Sequence, residues 1–107
     1  MLLLWILACK DTPLPSDVPA CIGDVIADME AEPVRNPPSS ITEYVIDGER
    51  YYYIPPYCCD AFSVLLDDAC ETVCNPDGGM DGKGSGKCPD LDAATSTRVI
   101  WTDDRET

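Results

Sequence analysis

Apolar residues recur at helical spacing near the start of the chain. Four of them stand at positions i, i+3, i+4 and i+7: Ile22, Val25, Ile26 and Met29. This is the stripe of an amphipathic helix. It predicts a helix over residues 17–32, with Asp17 as the N-terminal cap, Pro19 in the first turn and Pro33 enforcing the end. Cys21 lies beside the stripe, where a disulfide would bond the helix to the layer beneath it.

A hairpin is the clearest strand signal in the chain. Residues 41–46 and 49–54 are rich in Ile, Val and Tyr, and they flank the pair Asp47-Gly48. Asp-Gly suits the positive φ angles of a type I′ turn, which joins two antiparallel strands through two residues. The pattern therefore predicts two paired strands with a tight turn between them.

The register of this hairpin brings tyrosines together. It places Tyr44 opposite Tyr51, and Thr42 opposite Tyr53, on one face of the sheet. Exposed tyrosines would form an interaction surface for a ligand or a glycan. The alternative is that these rings are the face that packs against the helix.

The rest of the chain alternates short apolar runs with a long polar segment. Residues 62–66, 71–74 and 97–102 are predicted strands, whereas residues 75–90 hold glycine, proline and aspartate without a hydrophobic period and predict a long loop. The chain is thus expected to be an α+β protein, with one N-terminal helix packed on a small, mainly antiparallel sheet. Residues 17–107 form its single, disulfide-stabilised domain.

The first residues indicate a lipid-anchored protein. Residues 2–8 are uninterruptedly apolar and are followed at once by Cys9, which is the order found at the end of a bacterial lipoprotein signal. We expect residues 1–8 to be a signal-peptide remnant, Cys9 to be lipidated, and residues 9–16 to be a Pro-containing tether. The run is too short for a transmembrane helix.

Six further cysteines remain after Cys9, an even number that can be fully paired. They are Cys21, Cys58, Cys59, Cys70, Cys74 and Cys88. Disulfides persist in oxidising compartments such as the periplasm or the cell surface. Six cysteines allow 15 pairings, so the connectivity stays open. The adjacent pair Cys58-Cys59 is expected to bond to two different distant partners.

The net charge of the chain restricts the classes of partner that it can bind. The chain has 20 Asp and Glu against 7 Lys and Arg, a formal net charge of −13. Such a surface repels phosphate backbones, so nucleic acid is excluded as a partner. Residues 82–87 superficially resemble a phosphate-binding loop, but the required Gly and Ser or Thr are missing, so nucleotide is excluded too. Asp60 and Arg105 are expected to form an ion pair.

Calcium is the cofactor that the long loop suggests. Asp77, Asp81 and Asp90 supply carboxylate oxygens, and Asn75 and loop carbonyls are available to complete the coordination. The order of an EF-hand is not met. The alternative is a disulfide-closed loop whose aspartates form local turns, with no cofactor.

The chain contains no histidine. Ser-His-Asp and Cys-His catalytic groups therefore cannot be assembled, and we expect a protein that is not an enzyme. Four cysteine sulfurs are enough to bind zinc tetrahedrally, and they are available from Cys58, Cys59, Cys70, Cys74 and Cys88. The usual Cys-x2-Cys spacing is absent, however.

A succession of short motifs resembles a family of small uncharacterised bacterial lipoproteins classed as a domain of unknown function. The motifs are Cys21-Ile22, Asn36-Pro37-Pro38, the tyrosine-rich strand, Cys58-Cys59-Asp60, Pro76-Asp77-Gly78-Gly79, Gly82-Lys83-Gly84 and Lys87-Cys88-Pro89-Asp90, with Trp101 and Arg105 at the end. The resemblance implies an envelope lipoprotein with a compact α+β domain, and it implies no activity.

These observations lead to one expected function with two alternatives. We expect a non-enzymatic lipoprotein of the bacterial cell envelope, facing the periplasm or the exterior, that presents its long loop or its tyrosine hairpin to an envelope or extracellular protein. The first alternative is a calcium-binding module. The second is an inhibitor of a secreted enzyme, because a disulfide-closed loop can be preorganised for insertion into an active site.

Overall fold

The computed structural model describes residues 14–56 and 60–105. Within them the chain forms one α-helix and five β-strands, which confirms the α+β class. The helix, α1, is Ala20–Glu30, and the strands are β1 Ser40–Ile46, β2 Glu49–Ile54, β3 Val64–Leu66, β4 Thr72–Cys74 and β5 Ser96–Thr102. A single turn of 3₁₀ helix, Leu91–Ala93, precedes β5.

The helix is shorter than its sequence pattern predicts. It begins at Ala20 after Pro19, whose extended ψ of 143° makes it the N-cap, and no side chain caps this end. The expected cap, Asp17, was therefore wrong, because its carboxylate accepts hydrogen bonds from Arg98 instead. The helix ends at Glu30, three residues before Pro33.

The five strands form one antiparallel sheet in the order β4-β3-β2-β1-β5. The hairpin prediction is confirmed: Tyr44 pairs with Tyr51, and Thr42 with Tyr53. The turn residues Asp47 and Gly48 have φ angles of 53° and 81°, the positive values that a type I′ turn requires.

β3 is shorter than the predicted strand 62–66. Phe62 takes part in an isolated bridge to Gly78, and Ser63 bonds through its backbone N–H to the Asp77 carbonyl. The first two residues of the apolar run thus pair with the long loop rather than with β2. This pairing positions the candidate site described below.

The hydrophobic core lies between α1 and one face of the sheet. Its buried residues are Ile22, Ile26, Ile41, Tyr52, Leu66 and Ile100, and Val25 and Met29 of the helical stripe pack against them. The helical stripe is thus confirmed. Complete burial of a side chain such as Ile22 stabilises the fold by about 1.5–3 kcal/mol. The core is thin, as expected for a domain of this size.

Among the described residues, two disulfides join elements that are distant in sequence. Cys21 on α1 bonds to Cys70, in the turn between β3 and β4, so the helix is covalently attached to the sheet as expected from its position beside the stripe. Cys74 at the end of β4 bonds to Cys88. Each such bond typically contributes about 2–4 kcal/mol to stability.

A buried carboxylate organises the charged residues at the centre of the sheet. Glu43 is almost completely buried and accepts hydrogen bonds from Arg98 Nε at 2.9 Å and from the Tyr52 hydroxyl at 3.3 Å. Arg98 also donates to Asp17, and this bond lowers the pKa of the Asp17 carboxyl. The pairs attach the segment that enters the domain to β1 and β5.

Arg105 closes the other end of the helix. It donates to the buried Asp103 carboxylate at 2.7 Å and to the carbonyl oxygen of Glu30 at 2.9 Å. A cation at a helix C-terminus satisfies carbonyls that have no partner within the helix. The expected ion pair of Arg105 with Asp60 was therefore wrong, because Asp103 is two residues away and already buried.

The N-terminal side of the domain packs earlier than Asp17. Leu14 and Val18 lie against the core, so part of the segment expected to be tether is packed on the domain. None of the helices in residues 14–56 and 60–105 has the length and apolar character needed to cross a membrane.

Candidate functional site

The most organised surface feature is the segment between Cys74 and Cys88, named here the glycine loop. The disulfide closes its two ends across 14 residues. Just inside the bridge, Asn75 and Ser85 exchange both backbone hydrogen bonds at 2.8 Å. The long irregular segment that the sequence predicts is thus a closed loop with a paired base.

A buried serine attaches the glycine loop to the sheet. Ser63, which is fully buried, donates through its hydroxyl to the Asp77 carbonyl at 3.0 Å and accepts from the Asp77 N–H at 2.9 Å. The Asn75 side-chain amide donates to the Ser63 carbonyl at 2.7 Å. Because buried polar groups are costly unless paired, this set of bonds favours one arrangement of the loop.

Asp77 also links the loop to the tyrosine hairpin. The Tyr53 hydroxyl donates to the two carboxylate oxygens of Asp77, at 3.0 and 3.1 Å. Burial of the ring, and then the hydrogen bond to this carboxylate, raise the pKa of Tyr53 from 10.0 to about 12. The phenol of Tyr53 is consequently neutral at physiological pH and acts as the hydrogen-bond donor to Asp77.

Glycine is required where the loop backbone folds back on itself. Gly84 has a φ of 76°, and a Cβ built there would overlap the carbonyl oxygen of Asn75. Gly82 has a similar φ of 74°, yet nothing lies within 4 Å of its Cβ position. Position 84 therefore needs glycine because of both the limited space and the positive φ, whereas position 82 needs it because of the positive φ alone.

Two large apolar side chains are exposed at the glycine loop, one on the loop itself and one on the segment before β3. Met80 is 91% exposed and Phe62 is 47% exposed. With the adjacent loop backbone they line a shallow cleft of about 460 Å³, whose charged residues are Asp60 and Asp81. Among the described residues that line this cleft, none is Lys or Arg. Met80 and Phe62 thus form a small apolar surface that is bordered by negative charge.

The three carboxylates expected to bind calcium are engaged separately. Asp77 accepts from Tyr53, Asp81 accepts from the backbone N–H of Lys83, and Asp90 accepts from that of Asp92 at the start of the 3₁₀ turn. Across the described parts of the chain, no group of three or more Cys, Asp or Glu side chains is arranged to hold a metal ion. Asp81 and Asp90 thus form local turns, whereas Asp77 bonds to a side chain of β2.

The candidate interaction tyrosines lie on the sheet face opposite the helix. Side chains alternate along a strand, so Tyr52 enters the core with α1 while its neighbours Tyr51 and Tyr53 point to the other side. Tyr44 meets Tyr53 edge-to-face, with 6.3 Å between ring centroids. The idea that these rings pack against the helix was therefore wrong. All three are half-buried, and Tyr53 bonds to Asp77 of the glycine loop.

The pairing of the described cysteines argues against the zinc site considered from the sequence. Cys70 and Cys74 are disulfide-bonded, to Cys21 and Cys88 respectively, so they are not zinc ligands in this structure. Those four cysteines pair among themselves. The expectation that Cys58 and Cys59 bond to two different distant partners stays a prediction. Cys9, Cys58 and Cys59 themselves lie outside the described residues.

Sequence reasoning missed three residues of this site. Ser63 and Phe62 were expected to be ordinary strand residues, and Met80 was one apolar residue in a polar loop. Met80 did carry a signal, because an isolated large apolar side chain amid glycine and aspartate has no core to enter. The role of Ser63 depends on where Asp77 lies in space, which local pattern does not encode.

One comparison with known proteins finds a relative of this chain. A family model described as a domain of unknown function (DUF6970) matches residues 27–103. The match begins within α1, includes the whole glycine loop and ends just after β5. No curated protein and no solved structure matches the chain significantly.

We expect Gly84→Ala to destabilise the domain more than Gly82→Ala. Both substitutions carry a left-handed backbone cost of about 1–2 kcal/mol, and the clash at position 84 adds the cost of overpacking, about 1–3 kcal/mol. Denaturant unfolding with the disulfides intact measures both free energies. Equal losses for the two variants would contradict the close backbone packing described here.

The bond between Tyr53 and Asp77 predicts a dependence of stability on alkaline pH. The raised pKa means that the fold favours the protonated phenol, so this contribution is complete below pH 10 and is lost as the pH rises through about 12. Asp77→Asn should move the pKa of Tyr53 toward its ordinary value of 10.0. The absorbance of the phenolate, followed against pH, measures the pKa of Tyr53. Because the pKa of Tyr52 is raised too, the Tyr53→Phe variant is needed to show which part of the titration belongs to Tyr53. A Tyr53 titration unchanged by Asp77→Asn would refute the assignment.

Proposed function

This chain belongs to the family of the domain of unknown function DUF6970, and from that premise we propose that it is a lipid-anchored protein of the bacterial envelope that binds another protein through its glycine loop. The family description names no activity, so the proposal is argued from the site. The observation that carries it is the exposure of Met80 on the glycine loop, next to the exposed Phe62 in the same cleft. The loop is closed by a disulfide and attached to the sheet through Ser63.

Rigidity is what makes such a loop suited to binding. A flexible loop would lose conformational entropy when it binds, which reduces affinity. Here the Cys74–Cys88 bond, the Asn75–Ser85 backbone pair and the Tyr53–Asp77 hydrogen bond hold the loop before any partner arrives. The surface it displays is small, and methionine adapts well to the shape of a partner's pocket.

The charge of the site indicates the chemistry of the partner. Asp60 and Asp81 border the apolar contact, and the chain as a whole carries −13. A protein with an apolar pocket rimmed by Lys or Arg would complement this surface and associate faster by electrostatic steering. Nucleic acid remains outside the proposal for the same electrostatic reason.

Catalysis is not part of the proposal. The chain has no histidine, and the loop carboxylates are occupied by hydrogen bonds that shape the loop. Calcium binding is not part of it either, because Asp77, Asp81 and Asp90 each accept a different hydrogen bond within the fold. The cleft has apolar walls and an open shape, which favours contact with a protein surface.

The lipid anchor supports an envelope location. The apolar run 2–8 followed by Cys9 supplies the signal, and the disulfides fit an oxidising compartment. Leu14 already packs on the domain, so only five residue steps separate it from Cys9, at most about 17 Å of extended chain. A lipid on Cys9 would therefore hold the domain close to the membrane surface.

Inhibition of a secreted enzyme is a second candidate, favoured by one feature of the loop. Met80 projects from a disulfide-closed segment, as a side chain that enters a specificity pocket must. In this case the partner of the loop would be an enzyme, and binding would block its active site. The same variants at position 80 test both candidates.

We expect the protein extracted from bacterial membranes to carry a lipid on Cys9. Mass spectrometry of the intact protein and of its N-terminal peptide should show a cysteine at the new N-terminus with the added mass of acyl chains. A Cys9→Ser variant should lack this mass and leave the membrane fraction. Native protein with an unmodified Cys9 would rule out the anchor.

We expect Met80 to dominate contact with the partner. A photo-crosslinking side chain at position 80 should give a specific adduct with an envelope protein, whereas the same group at Val73, an exposed residue of β4, should not. Met80→Lys should weaken binding of the purified partner by about tenfold or more, as for an interface hot spot.

Met80→Leu, which keeps the apolar contact, is the matched control. Because Met80 packs on little of the protein, neither variant should change the free energy of unfolding by more than about 0.5 kcal/mol. Adducts of equal yield from positions 80 and 73, or equal affinity of the Lys and Leu variants, would rule out the loop as the binding element.

A further inference from the structure

β5 is a long strand at one edge of the sheet. It has seven residues, Ser96–Thr102, and pairs on one side with β1. Over residues 14–56 and 60–105 no strand pairs with its outer side. In an antiparallel strand, alternate residues direct their backbone N–H and C=O groups outward, so β5 offers a row of hydrogen-bonding groups.

The two edges of the sheet differ in how they are protected. β4, at the opposite edge, has three residues and continues into the disulfide-closed loop. β5 contains neither Pro nor Lys, the residues that commonly block edge pairing. A β-bulge interrupts it near Ile100, which leaves Ser96 to Val99 as a regular run paired with residues 42–45.

The side chains of this run are suited to receive a neighbour. Val99 is 64% exposed, and Ser96, Thr97 and Thr102 are exposed as well. Val99 and Thr97 lie on the sheet face away from α1, where Thr97 pairs with Tyr44. An additional strand would cover Val99 and extend the tyrosine-bearing face.

Charge indicates the nature of that strand. The guanidinium of Arg98 is engaged by Glu43 and Asp17, so the cation of β5 is already neutralised. Exposed Asp92 and Asp104 lie just before and just after the strand. A second copy of this chain would bring like charges together at both ends and double a net charge of −13.

We propose that β5 receives an extended segment of a partner protein as a sixth strand, and that this segment has basic residues at its ends and β-branched residues between them. Main-chain hydrogen bonds along Ser96–Thr102 supply the affinity, as in other cases of strand addition. Pairing of Lys or Arg with Asp92 and Asp104 sets the position of the segment. This surface is separate from the glycine loop, which follows β4 at the opposite edge and bonds to β2 and to the residues before β3.

The test uses the full chain in mild detergent and a synthetic peptide of alternating valine and threonine with paired lysines at both ends. Isotope-labelled protein is titrated with this peptide by NMR. The backbone amides of β5 should shift and exchange more slowly, while those of β4 should not. The affinity should fall as salt is added, because the flanking charge pairs are exposed.

Two variants make the test specific. Val99→Lys places a charge in the middle of the edge and should weaken peptide binding at least about fivefold. Val73→Lys places the same charge on β4 and should leave binding unchanged. Both valines are exposed, so each variant should fold. A peptide with glutamates in place of the lysines should bind more weakly.

Four results would overturn the proposal. The first is that the β5 amides do not shift when the peptide is added, and the second is that the two valine variants bind the peptide equally well. The third is that the glutamate peptide binds as well as the lysine peptide. The fourth is that sedimentation without peptide shows a dimer of the chain formed through β5. The last result would assign the edge to a second copy of this chain. Failure of the Met80 experiments would leave the β5 result unaffected, because the two surfaces are tested by different variants.

Discussion

A sheet has two faces, and the part of this domain that the structure describes has one α-helix, of 11 residues, to cover them. The helix buries Ile22 and Ile26 against one face. The other face is covered in part by the glycine loop, which has too few apolar residues to form a second core. The loop is held instead by hydrogen bonds to Ser63 and Tyr53 and by the Cys74–Cys88 bond. The way this second face is covered explains why the loop is rigid and why its tip is exposed.

In this small domain, polar interactions fix the relative positions of the helix, the sheet and the termini, which a larger hydrophobic core would fix in a larger domain. Glu43 is buried on the helix side of the sheet and is satisfied by Arg98 and Tyr52. Arg105 satisfies the C-terminal carbonyls of the helix while it pairs with Asp103. A buried charge stabilises little by itself, but removing its partner is costly. These pairs therefore select one arrangement of helix, sheet and termini rather than adding a large net stability.

The two proposed surfaces lie at opposite ends of the strand order. The glycine loop extends from β4, and the unpaired edge belongs to β5. Each is acidic around an exposed apolar residue, Met80 in one case and Val99 in the other. A domain with these two surfaces would engage one partner at each end. The hairpin and the core then serve as the rigid body that separates the two contacts.

The sequence by itself determined what depends on neighbours along the chain: the helical stripe, the hairpin with its turn and register, the α+β class and membership of an uncharacterised family. Only the tertiary structure decided which tyrosine enters the core, which cysteines pair, which partners Asp17 and Arg105 take, and that Ser63 holds the loop. Alternation along a strand defines two faces without saying which one a helix will cover. Partners distant in sequence are chosen by where the whole chain places them, and no local pattern records that choice.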